Sequence, residues 1–133
     1  MTTATSGLLA TTSMESVVHL VDQDPRSRDR IIRVLRTGYL PCRSYRDADD
    51  FLTHLDDDRP GCILVTLRAP GMTGLRTQQR LSGTGSTLSI IFLGDSPPLS
   101  AAVDAMRAGA EDFLTTPTDD ETLIETVQKT IAR

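Results

Sequence analysis

The chain has 133 residues, a net charge of −4 and two cysteines. That length suits one domain with its own core and excludes two ordinary ones. The acidic balance argues against direct nucleic-acid binding, which leans on clustered positive charge, and Cys42 and Cys62 have neither the CxxC spacing nor the neighbouring His/Cys cluster of a zinc or redox motif.

Residues 1–15 are rich in Thr, Ser and Ala without sustained apolar periodicity, so they are expected to be a disordered N-terminal arm ahead of a domain over residues 16–133. No run of about 18 apolar residues occurs, and no basic flank with a long apolar stretch marks a secretory signal. A cytoplasmic protein without membrane contact is the expectation.

From Val17 the pattern alternates. "VVHLV" is an apolar, β-branched run suited to a strand buried on both faces. "DQDPRSRDRIIRVLRTGY" then supplies Asp24 as N-cap, Pro25 at the first helical position and Gly38 as terminator. Ile31, Ile32, Val34 and Leu35 form that helix's apolar stripe, with Arg26, Arg30 and Arg33 opposite. "PCRSY" reads as a second strand, "DADDFLTHLDD" as a short helix with Phe51, Leu52 and Leu55 inward, and "CILVTL" as the third strand.

"LRTQQRL" can form a third helix, ended by "SGTGS"; the Gly-rich loop lacks the GxxxxGK[ST] order and reads as a connection rather than a phosphate cradle. "SIIFL" is the fourth strand, "LSAAVDAMRAGA" the fourth helix stopping near Gly109, and "EDFLT" the fifth strand. "TPTDDETLIETVQKTIAR" closes the chain as a fifth helix with Leu123, Ile124, Val127 and Ile131 on one face and Thr118 or Asp119 as cap. Five strands alternating with five helices predict an α/β fold with a parallel sheet covered on both sides.

In such a sheet, ligands bind beyond the carboxyl ends of the strands. Those ends carry Asp22 and Gln23, then Thr66 and Arg68, then Gly94 and Asp95, then Thr115 and Thr116. This is a site with little charge. Arg68 and Met72 lie in the turn after the third strand and Asp95 is placed on a loop beside the mouth. His19, among apolar residues, reads as a packed histidine.

"VHLVDQDP", "LVTLRAPGMTG" and "AVDAMRAGAEDFLTTP" together resemble the receiver domains of two-component response regulators, over roughly residues 17 to 131. The branch most resembled is the FixJ-type regulators, which usually precede a helix-turn-helix DNA-binding domain. The resemblance implies a flavodoxin-like (CheY-like) doubly wound sheet of strand order 2-1-3-4-5. It also implies a signalling role, with contacts to a protein partner or a second copy through a face made by the fourth helix, fifth strand and fifth helix. Phe113 matches the aromatic position on that face, although a packed strand aromatic is an equally good reading. A DNA-binding domain outside this chain is a further implied possibility.

The family's chemistry does not carry over residue by residue. Thr66 matches the phosphoacceptor aspartate, Gln23 one of the acidic metal-binding pair beside Asp22, Gly94 the hydroxyl residue that senses phosphate, and Thr116 the lysine before the proline. Lys129 is the only lysine in the chain, so no slip of the alignment restores that one. The expectation is a degenerate phosphorylation site made of Asp22, Gln23, Thr66, Gly94 and Thr116, with no catalytic residue and no cofactor. No metal is expected either, because a hard divalent cation wants several carboxylates and Asp22 alone remains. Asp22 reads equally as a strand-end cap. Three function classes stay open: a phosphorylation-independent signalling module, a small-molecule or anion sensor using the emptied pocket, and an enzyme on a flavodoxin-like sheet, for which no base and nucleophile constellation is present.

Overall fold

The computed structural model describes residues 16–54, 60–67, 88–95, 106–107, 109–116 and 118–132. Five strands, β1 (Val17–Val21), β2 (Cys42–Tyr45), β3 (Gly61–Leu67), β4 (Ser89–Asp95) and β5 (Asp112–Thr116), form one parallel sheet in the order β2-β1-β3-β4-β5. Three helices are found among the described residues: α1 (Pro25–Thr37), α2 (Ala48–His54) and α3 (Asp120–Ala132). Of the two further helices expected, residues 75–81 lie outside the described residues, and of residues 99–110 only Met106 and Arg107 are described as helical. The expected disordered arm, Arg68 and Met72 also lie outside them.

All five residues of β1 are buried, as its unbroken apolar run requires of a strand covered on both faces. Strand alternation divides them. Val18 and Leu20 join Leu64, Ile91 and Leu93 under Ile31, Val34 and Leu35 of α1 and Leu123 and Val127 of α3. Val21, Ile63, Val65 and Phe92 face the other way, toward Phe51 of α2. His19 is on that second face, 2% exposed. Its Nδ1 is 3.1 Å from the Tyr45 hydroxyl and its ring meets Phe51 edge-on at 5.2 Å, so it is a packed histidine.

Asp24 caps α1 by accepting a hydrogen bond from the Arg26 N–H at 3.0 Å, and Pro25 takes the first helical position. Gly38 ends the helix as its C-cap. Gly38 keeps a negative φ of −95°, and Tyr39, 92% exposed, takes the left-handed position at φ 58°. The Leu40 N–H reaches back to the Leu35 carbonyl at 3.1 Å, the 6→1 bond of a Schellman ending centred one residue later than Gly38. Gly38 answers a different need: a Cβ there would stand 2.8 Å from Ile124 Cγ2 of α3, so the missing side chain lets α1 and α3 approach. Gly61 opens β3 at φ 156°, where a Cβ would overlap the carbonyl oxygen of Val17, its register partner on β1.

Cys42 and Cys62 both pair in register with Val18, from opposite sides. Two strand spacings, about 9.6 Å, separate them, beyond the roughly 7 Å limit for a disulfide. Burial pushes both thiols up to about 12, with Cys42 adding to the shift of Cys62. Neither is a reactive thiolate near neutral pH.

Candidate functional site

The carboxyl ends of β1, β3, β4 and β5 lie along one edge of the sheet, and the strand registers place the candidate residues relative to one another. Val21 pairs with Val65, which puts Asp22 and Thr66 on the next step of adjacent strands. Leu67 pairs with Gly94, Gly94 with Thr115, and Asp95 with Thr116. Asp22, Thr66, Gly94, Thr115 and Thr116 therefore do come together at one mouth. Asp95 is the last residue of β4 rather than part of a loop, and Thr115 and Thr116 end β5 rather than follow it. The ladder between β4 and β5 continues two residues beyond the apolar run because backbone pairing, not side-chain burial, extends it.

Asp22 is 1% exposed. Its Oδ1 accepts a hydrogen bond from the Asp24 N–H at 3.0 Å, its own N–H donates to the Tyr45 carbonyl at 2.9 Å, and its carbonyl accepts from Arg28 Nη1 at 3.2 Å. The carboxylate thus acts as the cap of the β1–α1 turn. Arg28 escaped the sequence reading, although its place in the first turn of α1 carries a signal: helical side chains lean toward the helix N-terminus, here toward the mouth. Gln23, next to Asp22, is exposed.

Thr66 is partly buried, and its hydroxyl donates to the Val21 carbonyl at 3.4 Å. Strand alternation puts its side chain on the sheet face of Leu64 and Leu93. A neutral hydroxyl whose proton is directed at a backbone carbonyl is a poor nucleophile, since activation requires a base to accept that proton. Gly94 is buried and offers no side chain.

A magnesium ion prefers octahedral oxygen ligands with one or two carboxylates among them. The residues here do not fit one well: one carboxylate already bonded to its own turn, an exposed neutral amide and a threonine hydroxyl. Among the described residues, no three His, Cys, Asp or Glu side chains are grouped to hold a metal. Phe113 of β5 is half-buried with its ring centroid 6.0 Å from that of Phe92, so it packs on the α2 face of the sheet.

No helix among the described residues is long and apolar enough to cross a membrane. Residues 18–128 match the response regulator receiver domain family. The chain is 32% identical over 114 residues to the response regulator protein TmoT of Ectopseudomonas mendocina, covering 86% of this chain and 52% of that protein. It is also 32% identical over 117 residues to the transcriptional regulatory protein FixJ of Azorhizobium caulinodans, covering 87% of this chain and 55% of the relative. The crystal structure of FixJ-N superposes with a TM-score of 0.80 at 27% identity, over 90% of this chain and 95% of the other. The chain spans about half the length of the curated relatives it matches, and those relatives are named as regulators rather than enzymes. With its 2-1-3-4-5 parallel sheet and a family match over most of its length, the chain belongs to the response regulator receiver domains of two-component signalling.

Proposed function

We propose that this receiver domain signals without being phosphorylated. The observation that carries the reading is Thr66, at the carboxyl end of β3 where the family resemblance places the phosphoacceptor aspartate, with its hydroxyl donating to the Val21 carbonyl at 3.4 Å. Three further substitutions support it. Gln23 replaces a metal-binding acid, Gly94 the phosphate-sensing hydroxyl and Thr116 the lysine, so the group that would be modified and those that would read the modification are missing together.

A ligand shifts a conformational equilibrium only through contacts that differ between the two states. With no hydroxyl at position 94 and no ammonium at position 116, a phosphoryl group would lack the two contacts through which the family resemblance implies it is read. The domain then acts as a constitutive protein-contact module, through a face that includes β5 with Phe113 and α3 and the fourth helix expected from the sequence. In the full-length protein it regulates transcription through a DNA-binding domain outside this chain, and it works in the cytoplasm. Beryllofluoride with magnesium, a phosphoryl mimic, tests this: amide resonances from Asp22 to Phe113 should stay in place. Shifts spreading from the mouth to Phe113 would overturn the reading.

A further inference from the structure

The net charge of −4, which argued against nucleic-acid binding, conceals a separation of charge. Residues 26–46 hold seven of the chain's 14 basic residues and one acid, Asp29, a net of +6, so the rest of the chain carries −10. All seven are arginines, whose guanidinium groups present their donors as a planar fork that matches phosphate.

Four of the seven are on α1. Arg26, Arg30, Arg33 and Arg36 are exposed along about 15 Å of helix, and apart from Pro25, Asp29 and Thr37 they are all that α1 exposes. The row opposes the helix's own stability. Like charges three and four residues apart repel, and Arg26 sits at the positive end of the helix dipole in a first turn that contains no acid. Arg33 Nε donates to the Asp29 carbonyl at 3.4 Å, and among the described residues no ion pair holds any of the four guanidinium groups.

We propose that α1 lies along the phosphate backbone of duplex DNA, as a contact without base specificity. The composition of the face selects phosphate over a protein partner. It exposes no apolar side chain other than Pro25, whereas protein interfaces are built on an apolar, aromatic core from which charges are depleted. Backbone binding needs only clustered cations. The neighbours of α1 set the side of approach. α3, which packs toward β3 and β4 and meets Gly38 through Ile124, exposes Asp119, Asp120, Glu121 and Glu125 and repels a polyanion. On its other flank α1 contacts the edge strand β2, whose exposed residues, Arg43 and Ser44, include no acid. The duplex therefore lies on the β2 side of α1. The contact rests on the proposed function at one point: a DNA-binding domain outside this chain would keep the duplex near, at the millimolar effective concentration of a short linker, so a weak contact suffices. It uses neither Thr66 nor the strand-end mouth, so its failure would leave the reading of the phosphorylation site standing.

Fluorescence anisotropy of a labelled duplex of about 20 base pairs, titrated with the chain, tests it. Four phosphate contacts predict a slope of log K against log salt of about −3.6, hence a loss of affinity of about 150-fold between roughly 50 mM and 200 mM salt. Arg30→Gln with Arg33→Gln should flatten the slope to about −1.8, and duplexes of unrelated sequence should bind alike. Arg107→Gln with Lys129→Gln removes the same charge from exposed positions elsewhere and should leave the slope unchanged. Unchanged amide resonances for core residues would show both variants folded. No binding at about 20 mM salt, an equal loss in the two variants, or polyglutamate held as tightly as the duplex would overturn the proposal; the last result would give the arginine row to an acidic protein.

Discussion

Replacing Thr66 by aspartate restores the family's residue type at one position and should destabilise the fold near neutral pH without creating a switch. The wild-type hydroxyl donates to the Val21 carbonyl at 3.4 Å, a long bond toward the low end of the roughly 0.5–1.5 kcal/mol range. A carboxylate there loses that bond and turns an acceptor toward an acceptor. It also sits one strand spacing from the buried Asp22, about 5–6 Å by sheet geometry. At an effective dielectric of about 20, two charges at that distance repel by roughly 3 kcal/mol, and in bulk water by under about 1 kcal/mol. A net loss of about 2–3 kcal/mol at pH 7.5 follows.

The pH dependence gives the sign. Repulsion holds the new carboxyl above its unfolded value of about 3.9, so between the two values the folded chain binds more protons than the unfolded one and stability falls as pH rises. Urea denaturation of Thr66→Asp and wild type should therefore nearly agree at about pH 4 and separate by pH 7.5. Magnesium should recover only part of the difference, since Gln23 offers a neutral oxygen, and acetyl phosphate should leave the oligomeric state unchanged. A loss equal at both pH values, or magnesium-dependent phosphorylation coupled to a change in oligomeric state, would refute the reasoning. Gln23→Asp added to Thr66→Asp should recover metal binding, and Gly94→Thr and Thr116→Lys are needed as well for a response at Phe113.

Gly61→Ala should lower stability by more than about 3 kcal/mol or prevent folding, because its Cβ would overlap the Val17 carbonyl and push β1 from β3; a melting temperature near wild type would contradict this. Tyr39→Asn should be neutral to stabilising by up to about 1 kcal/mol, since asparagine tolerates the left-handed backbone and the exposed ring buries nothing, whereas Gly38→Ala should destabilise by about 1–3 kcal/mol through Ile124; thermal melts with the order reversed would move the left-handed position back to Gly38. Cys62 is held protonated by burial up to about 12, so above the ordinary thiol value of 9.0 the unfolded chain loses that proton first and stability falls by up to about 1.4 kcal/mol per pH unit between those values. Urea midpoints of Cys62→Ala should fall less steeply than wild type from pH 9 to 10.5, and equal slopes would count against a buried thiol.

The alternation of strand and helix was readable because its signals are local. An unbroken apolar run, an Asp-Pro start and an apolar stripe every three to four residues need no distant partner to be recognised. What escaped was decided by contacts distant in sequence. Gly38 was readable as the residue that ends α1, but that its lack of a Cβ serves Ile124 and that the left-handed turn falls on Tyr39 were not. Nothing near residue 38 in the sequence announces residue 124. β4 runs through Gly94 and Asp95 because Thr115 and Thr116 pair with them, which an apolar pattern ending at Leu93 does not encode. His19 was readable as a packed residue, but its partner Tyr45 lies on the polar edge strand β2, and their meeting depends on strand order.

At the mouth, the residue types were readable and their geometry was not. The resemblance implies four departures from the family pattern, at Gln23, Thr66, Gly94 and Thr116, whereas the Thr66 bond to Val21, the Asp22 carboxylate turned onto the Asp24 N–H and the Arg28 guanidinium on the Asp22 carbonyl all require the folded β1–α1 turn. Together these bonds hold the β1–α1 turn and tie it to β3.

The central claim, signalling without phosphorylation, is tested most directly by intact-mass spectrometry of the chain after incubation with acetyl phosphate and magnesium. The account predicts an unchanged mass. A stoichiometric phosphate adduct that hydroxylamine removes, the signature of an acyl phosphate, would contradict it.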